Sequence, residues 1–268
     1  MTTVYGTDGW TAAVRERLGL GRLLPLGGST DGAWLAERAA VTELRRDTAA
    51  MPGAVLGTLR ISPADSTGPD DPNGPNSPNG RADSGSPAHP AAHGKPPTPA
   101  PPPPPPGALP PGPLRIDGEF TAVPGEPLPV VAELLRAALF TCATDRLGLW
   151  VEEIDLHVTG LLDTPDESPA PAGPAGVGTI TSEPDTPKST AGEEESAHLA
   201  AAVPGVARLT RPLGSTAACA QEHVRVELAT AAGHRPLDVA RAVRRKLMAE
   251  LPGAPSVTVL VTAVDDAP

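Results

Sequence analysis

The stretch PPTPAPPPPPPGALPPGP, residues 96–113, limits what this chain can fold into more than any other feature. Proline has no backbone N–H and a fixed φ. Such a run enters neither a helix interior nor the ladder of a central strand, and it favours a stiff polyproline II rod with three residues per turn. It closes a longer tract, 63–113, and a second tract rich in Pro, Ser, Thr, Gly and acid spans 163–192. Both are expected to be disordered and to lie outside any core. The apolar blocks left between them are short. Only Tyr5, Trp10, Trp34, Phe120, Phe140 and Trp150 are aromatic, so small cores are expected in place of one large one.

Periodicity assigns the blocks. Trp10, Val14 and Leu18 recur every four residues and predict a short opening helix. GLGRLLPLGGST, residues 19–30, reads as a turn-rich connector. A helix is expected from about Ala36 to Met51, stopped by Pro52-Gly53, with a strand from Val55 to Ile61. Leu114, Ile116 and Phe120 alternate with Arg115, Asp117 and Glu119 in a half-buried strand. The next helix runs from Pro129 to about Arg146, with Val131, Leu134, Leu135, Ala138 and Leu139 on its apolar side. Ile154, Leu156 and Val158 then alternate as a strand. The last block repeats the pattern: a helix from Glu193 to Val203, a weak strand from Val206 to Thr210 and a strand through Val224, Val226 and Leu228. A helix from Pro236 to Leu251 and a strand through Val257, Val259 and Val261 close it.

Both halves therefore read helix, strand, strand, helix, strand, and they share words. AAMPGAV at 49 answers AAVPGVA at 201, and LRI at 114 answers VRV at 224. PLPVVAELLRAAL at 127 answers PLDVARAVRRKL at 236, and LHVT at 156 answers VLVT at 259. An internal duplication follows. The expected fold class is α/β (α+β), with two tandem αββαβ domains, each a three-stranded sheet with helices on one face. The first two strands of the second half are joined by a short loop, about 211–222, where the first half holds the proline tract. The tract is thus an insertion inside a hairpin. A tenfold longer loop costs only ~2 kcal/mol more to close. The expected domains are 1–162, carrying the insertion 63–113, and 193–268, joined by a linker at 163–192.

GAWLAERAAVTELRRDTAAMPGAV from Gly32 resembles the opening of the alkaline-shock, or envelope-stress-response, domain of Gram-positive bacteria. AAAVPGVARL, VRVELATAAGHRPLDVARAV and SVTVLVTAV follow the same pattern in the second half. The resemblance implies a non-enzymatic cytoplasmic protein that associates with itself and with a membrane-anchored envelope partner, in cell-wall stress. The proline tract has a compositional likeness to the Pro-rich fibrous-body proteins of nucleopolyhedroviruses, from which no function is carried over.

Chemistry is sparse. GLGRLLPLGGST lacks the third glycine of a dinucleotide loop, since Leu24 stands there, and Gly28 occupies the lysine position of a phosphate loop. His89 and His93 have no third ligand, and Cys142 and Cys219 form neither a zinc pattern nor a disulfide framework. His157, His223 and His234 have no nucleophile at a catalytic spacing. No enzyme activity, metal or cofactor is expected. The net charge of −11 disfavours nucleic acid and anionic lipid as partners. The N-terminus MTTVYGTDGW lacks the parts of a signal peptide, and no run approaches the ~20 apolar residues of a membrane helix. A cytoplasmic protein is expected, free or held at a membrane by a partner.

Two features suggest a partner surface. Arg241, Arg244, Arg245 and Lys246 line the polar side of the last helix. Leu260 faces away from Val257, Val259 and Val261, as an apolar residue on the outer side of the last strand. The candidate surface is Arg241, Arg244, Arg245 and Leu260. The helix–strand–strand–helix–strand order also resembles K-homology-like folds, which makes RNA binding the runner-up. Against it stand the acidic balance, the missing G-x-x-G clamp and the absence of an aromatic platform.

Overall fold

The repeated Pro-Gly pair does the same work in both halves. In a computed structural model, Gly53 and Gly205 adopt left-handed φ values of 87° and 91°, which end a helix and turn the chain into a strand. The structure describes residues 19–64, 101–162, 191–214, 217–220, 223–251 and 256–265. The opening helix read on Trp10, Val14 and Leu18, His89 and His93, and most of both low-complexity tracts lie outside the described residues.

The first unit contains α1 (Glu37–Thr48), β3 (Ala54–Pro63), β4 (Leu114–Ala122), α2 (Leu128–Thr141) and β5 (Val151–Leu161). A π-helical turn, Cys142–Leu147, extends α2. β3 and β4 are antiparallel neighbours, with Ile61 opposite Ile116 and Leu56 opposite Phe120. The base of this hairpin is closed by Ala64 N–H on Pro113 O, at 2.9 Å, so the long insertion does sit inside a hairpin. β4 and β5 are parallel, and the sheet order is β3-β4-β5.

The second unit contains α3 (Ala191–Ala201), β6 (Val206–Leu209), β7 (Ala217–Ala220), β8 (His223–Thr230), α4 (Pro236–Glu250) and β9 (Ser256–Val264). β6 and β7 both run antiparallel to β8 and together take the place of β3; β8 and β9 are parallel. The equivalence extends to single hydrogen bonds. Val123 N–H donates to Gly53 O at 2.9 Å, and Ala231 N–H to Gly205 O at 2.8 Å. Leu162 N–H donates to Ala122 O at 2.9 Å, and Asp265 N–H to Thr230 O at 2.8 Å. Each parallel ladder carries an irregularity at the same point, between Phe120 and Thr121 in one and between Leu228 and Ala229 in the other. Gly118 pairs with Leu156 as Val226 pairs with Val259, so LHVT and VLVT are in true register. LRI and VRV are two residues out of step: Phe120 corresponds to Leu228, and Ile116 to Val224.

The mixed α/β class thus holds, with four α-helices and two sheets among the described residues. The second sheet is larger than three strands. The connector 19–30 contains β1 (Leu23–Leu26), paired antiparallel with β2 (Ala33–Ala36). β2 lies parallel on the outer edge of β9, giving the order β1-β2-β9-β8-β6 with β7 on β8. All eight residues of this hairpin's strands are buried. Strands covered on both faces read as continuous apolar runs with no alternation, which is why LLPL and AWLA carry no strand signal. Pro25 is tolerated because β1 is an edge strand. α1 follows β2 without a break, so the N-terminal hairpin of the chain completes the sheet of the C-terminal unit.

The end of the proline tract is part of this packing. Pro102 and Pro105 are buried while Pro103, Pro104 and Pro106 are exposed, the three-residue repeat of a polyproline rod laid on a surface. Thr258 Oγ1 donates to Pro103 O at 3.2 Å, and Leu109 N–H to Leu23 O at 2.8 Å. Residues 101–109 therefore belong to the folded body, against the expectation of disorder throughout 63–113.

Candidate interaction surface

The exposed side of α4 holds three of the four residues singled out in the sequence. Asp238 in the first turn and the Pro236 start favour the helix, and Leu237, Val239, Ala240, Val243 and Leu247 fix its inner face. Arg241, Arg244 and Arg245 then fall on the outer side, where they line an open depression of about 500 Å³ with Asp31, Asp238 and Met248. Two of the three cations are committed. Arg241 grips Asp31 with both arms, Nε on Oδ1 at 2.9 Å and Nη2 on Oδ2 at 2.8 Å. Arg244 Nη1 donates to Thr30 O. Thr30 and Asp31 belong to the turn between β1 and β2. Partial burial pushes the Asp31 carboxyl up, but the Arg241 hydrogen bonds, Gly28 N–H and the charges of Arg241 and Arg244 outweigh it and leave the group below the usual carboxylate range. The arginines of α4 hold the N-terminal hairpin against the second unit.

Leu260 is a correction. It is fully buried, opposite Trp34 of β2, and Glu227 on its other side is buried too. Alternation in the sequence places a residue on the outer side of a strand only if that side meets water. Here β2 and the proline segment around Pro103 extend and cover the sheet, so Leu260 is core.

Among the described residues, no three or more His, Cys, Asp or Glu side chains are placed to hold a metal ion. Among them also, no helix is long and apolar enough to cross a membrane. His223, near the usual pairing of a base with a hydroxyl, bonds Ser256 Oγ through Nδ1 at 2.7 Å; burial and the Arg225 charge lower its pKa.

No family model, curated protein or solved structure matches the chain.

Sequence reasoning missed a second surface, on the first unit. Helical spacing places Leu134 on the inner side of α2, yet Val131, Leu135 and Leu139 make that face and Leu134 is 56% exposed. Val130 and Phe140 are exposed beside it. α2 carries apolar residues nearly all round, with Glu133 and Arg136 its only charges, and this was the available signal. The equivalent outer positions of α4 are Asp238, Ala242 and Met248. β5, next to α2, is paired with β4 alone among the described residues and exposes Val158 and Leu161.

Proposed function

We propose that this chain is a non-enzymatic adaptor that works through protein–protein contacts in bacterial envelope-stress homeostasis, with itself and with a membrane-anchored partner. One observation supports the reading above others: the same αββαβ unit, with the same strand order and sense, occurs twice, and its words are those that resemble the alkaline-shock domain. An exposed apolar helix face beside an open sheet edge is the kind of surface such an adaptor uses.

The test is affinity recovery of the tagged chain from its own cells, comparing detergent-solubilised membranes with the soluble fraction, with and without ribonuclease. The adaptor reading expects one membrane-anchored protein to be enriched from the membrane fraction and to resist ribonuclease. Recovery of RNA, with every protein lost on ribonuclease treatment, would contradict it and favour the RNA-binding runner-up.

A further inference from the structure

The duplication supplies an internal comparison, because the same sheet edge is filled in one unit and, among the described residues, left unpaired in the other. In the second unit Ala33, Trp34 and Leu35 of β2 lie against Val259, Leu260 and Val261 of β9. The equivalent residues of β5 are Leu156, His157 and Val158, and among the described residues nothing but β4 pairs with that strand. The helix arginine at the same position tells the two states apart. Arg244 donates to Thr30 O on the docked hairpin, whereas Arg136 donates through Nε to Ile154 O of β5 itself, at 3.1 Å. Beside this edge an open groove of about 260 Å³ is lined by Glu133, Arg136, Ala137, Phe140, Glu152 and Ile154.

An exposed strand edge flanked by apolar side chains pairs with another chain unless charge or shape prevents it. The irregularities of β5, one next to Val151 and one after Val158, leave a regular stretch between them. That stretch is self-complementary. Turned antiparallel on itself about Leu156, it sets Ile154 opposite Val158 of the second copy, twice, and Leu156 opposite Leu156. Ile154, Leu156 and Val158 share the helix-facing side, because they pair with Ile116, Gly118 and Phe120. On the other side Asp155 falls opposite His157, again twice. An isologous contact requires this reciprocity, residue i on j and j on i. The two-fold axis also turns the side of α2 that borders this groove, with the exposed Phe140, toward its own copy.

We propose that the chain forms a two-fold dimer through β5, in which Leu156 lies on the axis and the two three-stranded sheets become one of six. This names the self-association surface of the adaptor reading and rests on that reading for its purpose only; the geometry stands without it. The carbonyl of Ile154 has a second lone pair, so Arg136 does not block the ladder.

The experiment uses the full purified chain, without partner or lysate, so its failure is distinct from a failure to recover an envelope protein. Sedimentation equilibrium of the unmodified chain is expected to show the mass rising from 27.2 kDa toward twice that value, with a dissociation constant of about 1–100 µM for so short a ladder. Val158→Lys puts a charge against Ile154 of the copy and is expected to weaken the dimer at least tenfold. Directly opposite residues in an antiparallel pair have Cα atoms about 4.5–5.5 Å apart, within disulfide reach. In a Cys219→Ser background, Leu156→Cys is therefore expected to oxidise to a covalent dimer and Thr159→Cys to remain a monomer. An unmodified chain that stays at 27.2 kDa at all concentrations overturns the proposal. So does a dimer unmoved by Val158→Lys, or cross-linking by Thr159→Cys and not by Leu156→Cys.

Discussion

Gly148 of the first unit lies directly beneath Leu237 of the second: a Cβ built on Gly148 would come within 2.5 Å of Leu237 Cβ. Gly148 has φ of 89° and ends the π-helical turn, while its carbonyl accepts Gly27 N–H at 3.1 Å. Arg235 Nη2 reaches Thr144 O at 2.6 Å beside it. The two units and the N-terminal hairpin thus meet at one glycine.

Gly148→Ala is expected to cost about 2–4 kcal/mol, from left-handed backbone strain plus overpacking against a backbone-proximal atom. Urea unfolding of the full chain measures it. The loss should be shared by both units, so tryptophan fluorescence and far-ultraviolet circular dichroism are expected to shift together.

The Asp31–Arg241 clamp is expected to fade in acid. Asp31 has a folded pKa below its ordinary 3.8, so its contribution is complete above that value and is lost as the pH falls through the lower, folded one. Glu37 follows the same sign. Burial raises its pKa, but hydrogen bonds from the Arg22 side chain and N–H, with Ile61 N–H, bring it below 4.5. Arg241→Ala should cost about 1 kcal/mol near neutral pH, a figure held down by the solvent exposure of the guanidinium, and should flatten the acid limb of a stability–pH curve.

The two cysteines are expected to react differently. Cys142 is buried, and burial with the nearby Asp47 charge pushes its pKa up to about 11. Cys219 is exposed. A thiol reagent at pH 8 should label Cys219 within minutes and Cys142 only as fast as the protein opens. Labelling both at one rate would place Cys142 outside the core.

Leu260→Asp is expected to destabilise the chain by more than ~4 kcal/mol, because it buries an unpaired carboxylate opposite Trp34. Thermal melting checks this. A variant as stable as the parent would return Leu260 to the surface.

Much of the fold could be read from the sequence because elements such as β4 and α4 bury one side and leave the other more open to water. Ile116 and Phe120 alternate with charges, and Val239, Val243 and Leu247 recur at helical spacing. The hairpin of β1 and β2 was illegible for the opposite reason: with both sides covered, Leu24, Trp34 and Leu35 show no period, and Gly and Pro around them imitate a connector. The same coverage hid the burial of Leu260, which depends on a strand more than 200 residues away in the sequence. The basic row on α4 was visible, but not that Arg241 and Arg244 are taken by Asp31 and Thr30. Leu134 and Leu135 are adjacent and equally apolar, so nothing local told which one faces the core.

The central claim is that one αββαβ unit occurs twice and that β2 closes the edge of the second copy only. Cross-strand nuclear Overhauser contacts on the isotope-labelled chain test it most directly. They are predicted between Gly118 and Leu156, between Val226 and Val259, and between Trp34 and Leu260. Loss of either parallel pair, or contacts from Trp34 to His157 in place of Leu260, would contradict it.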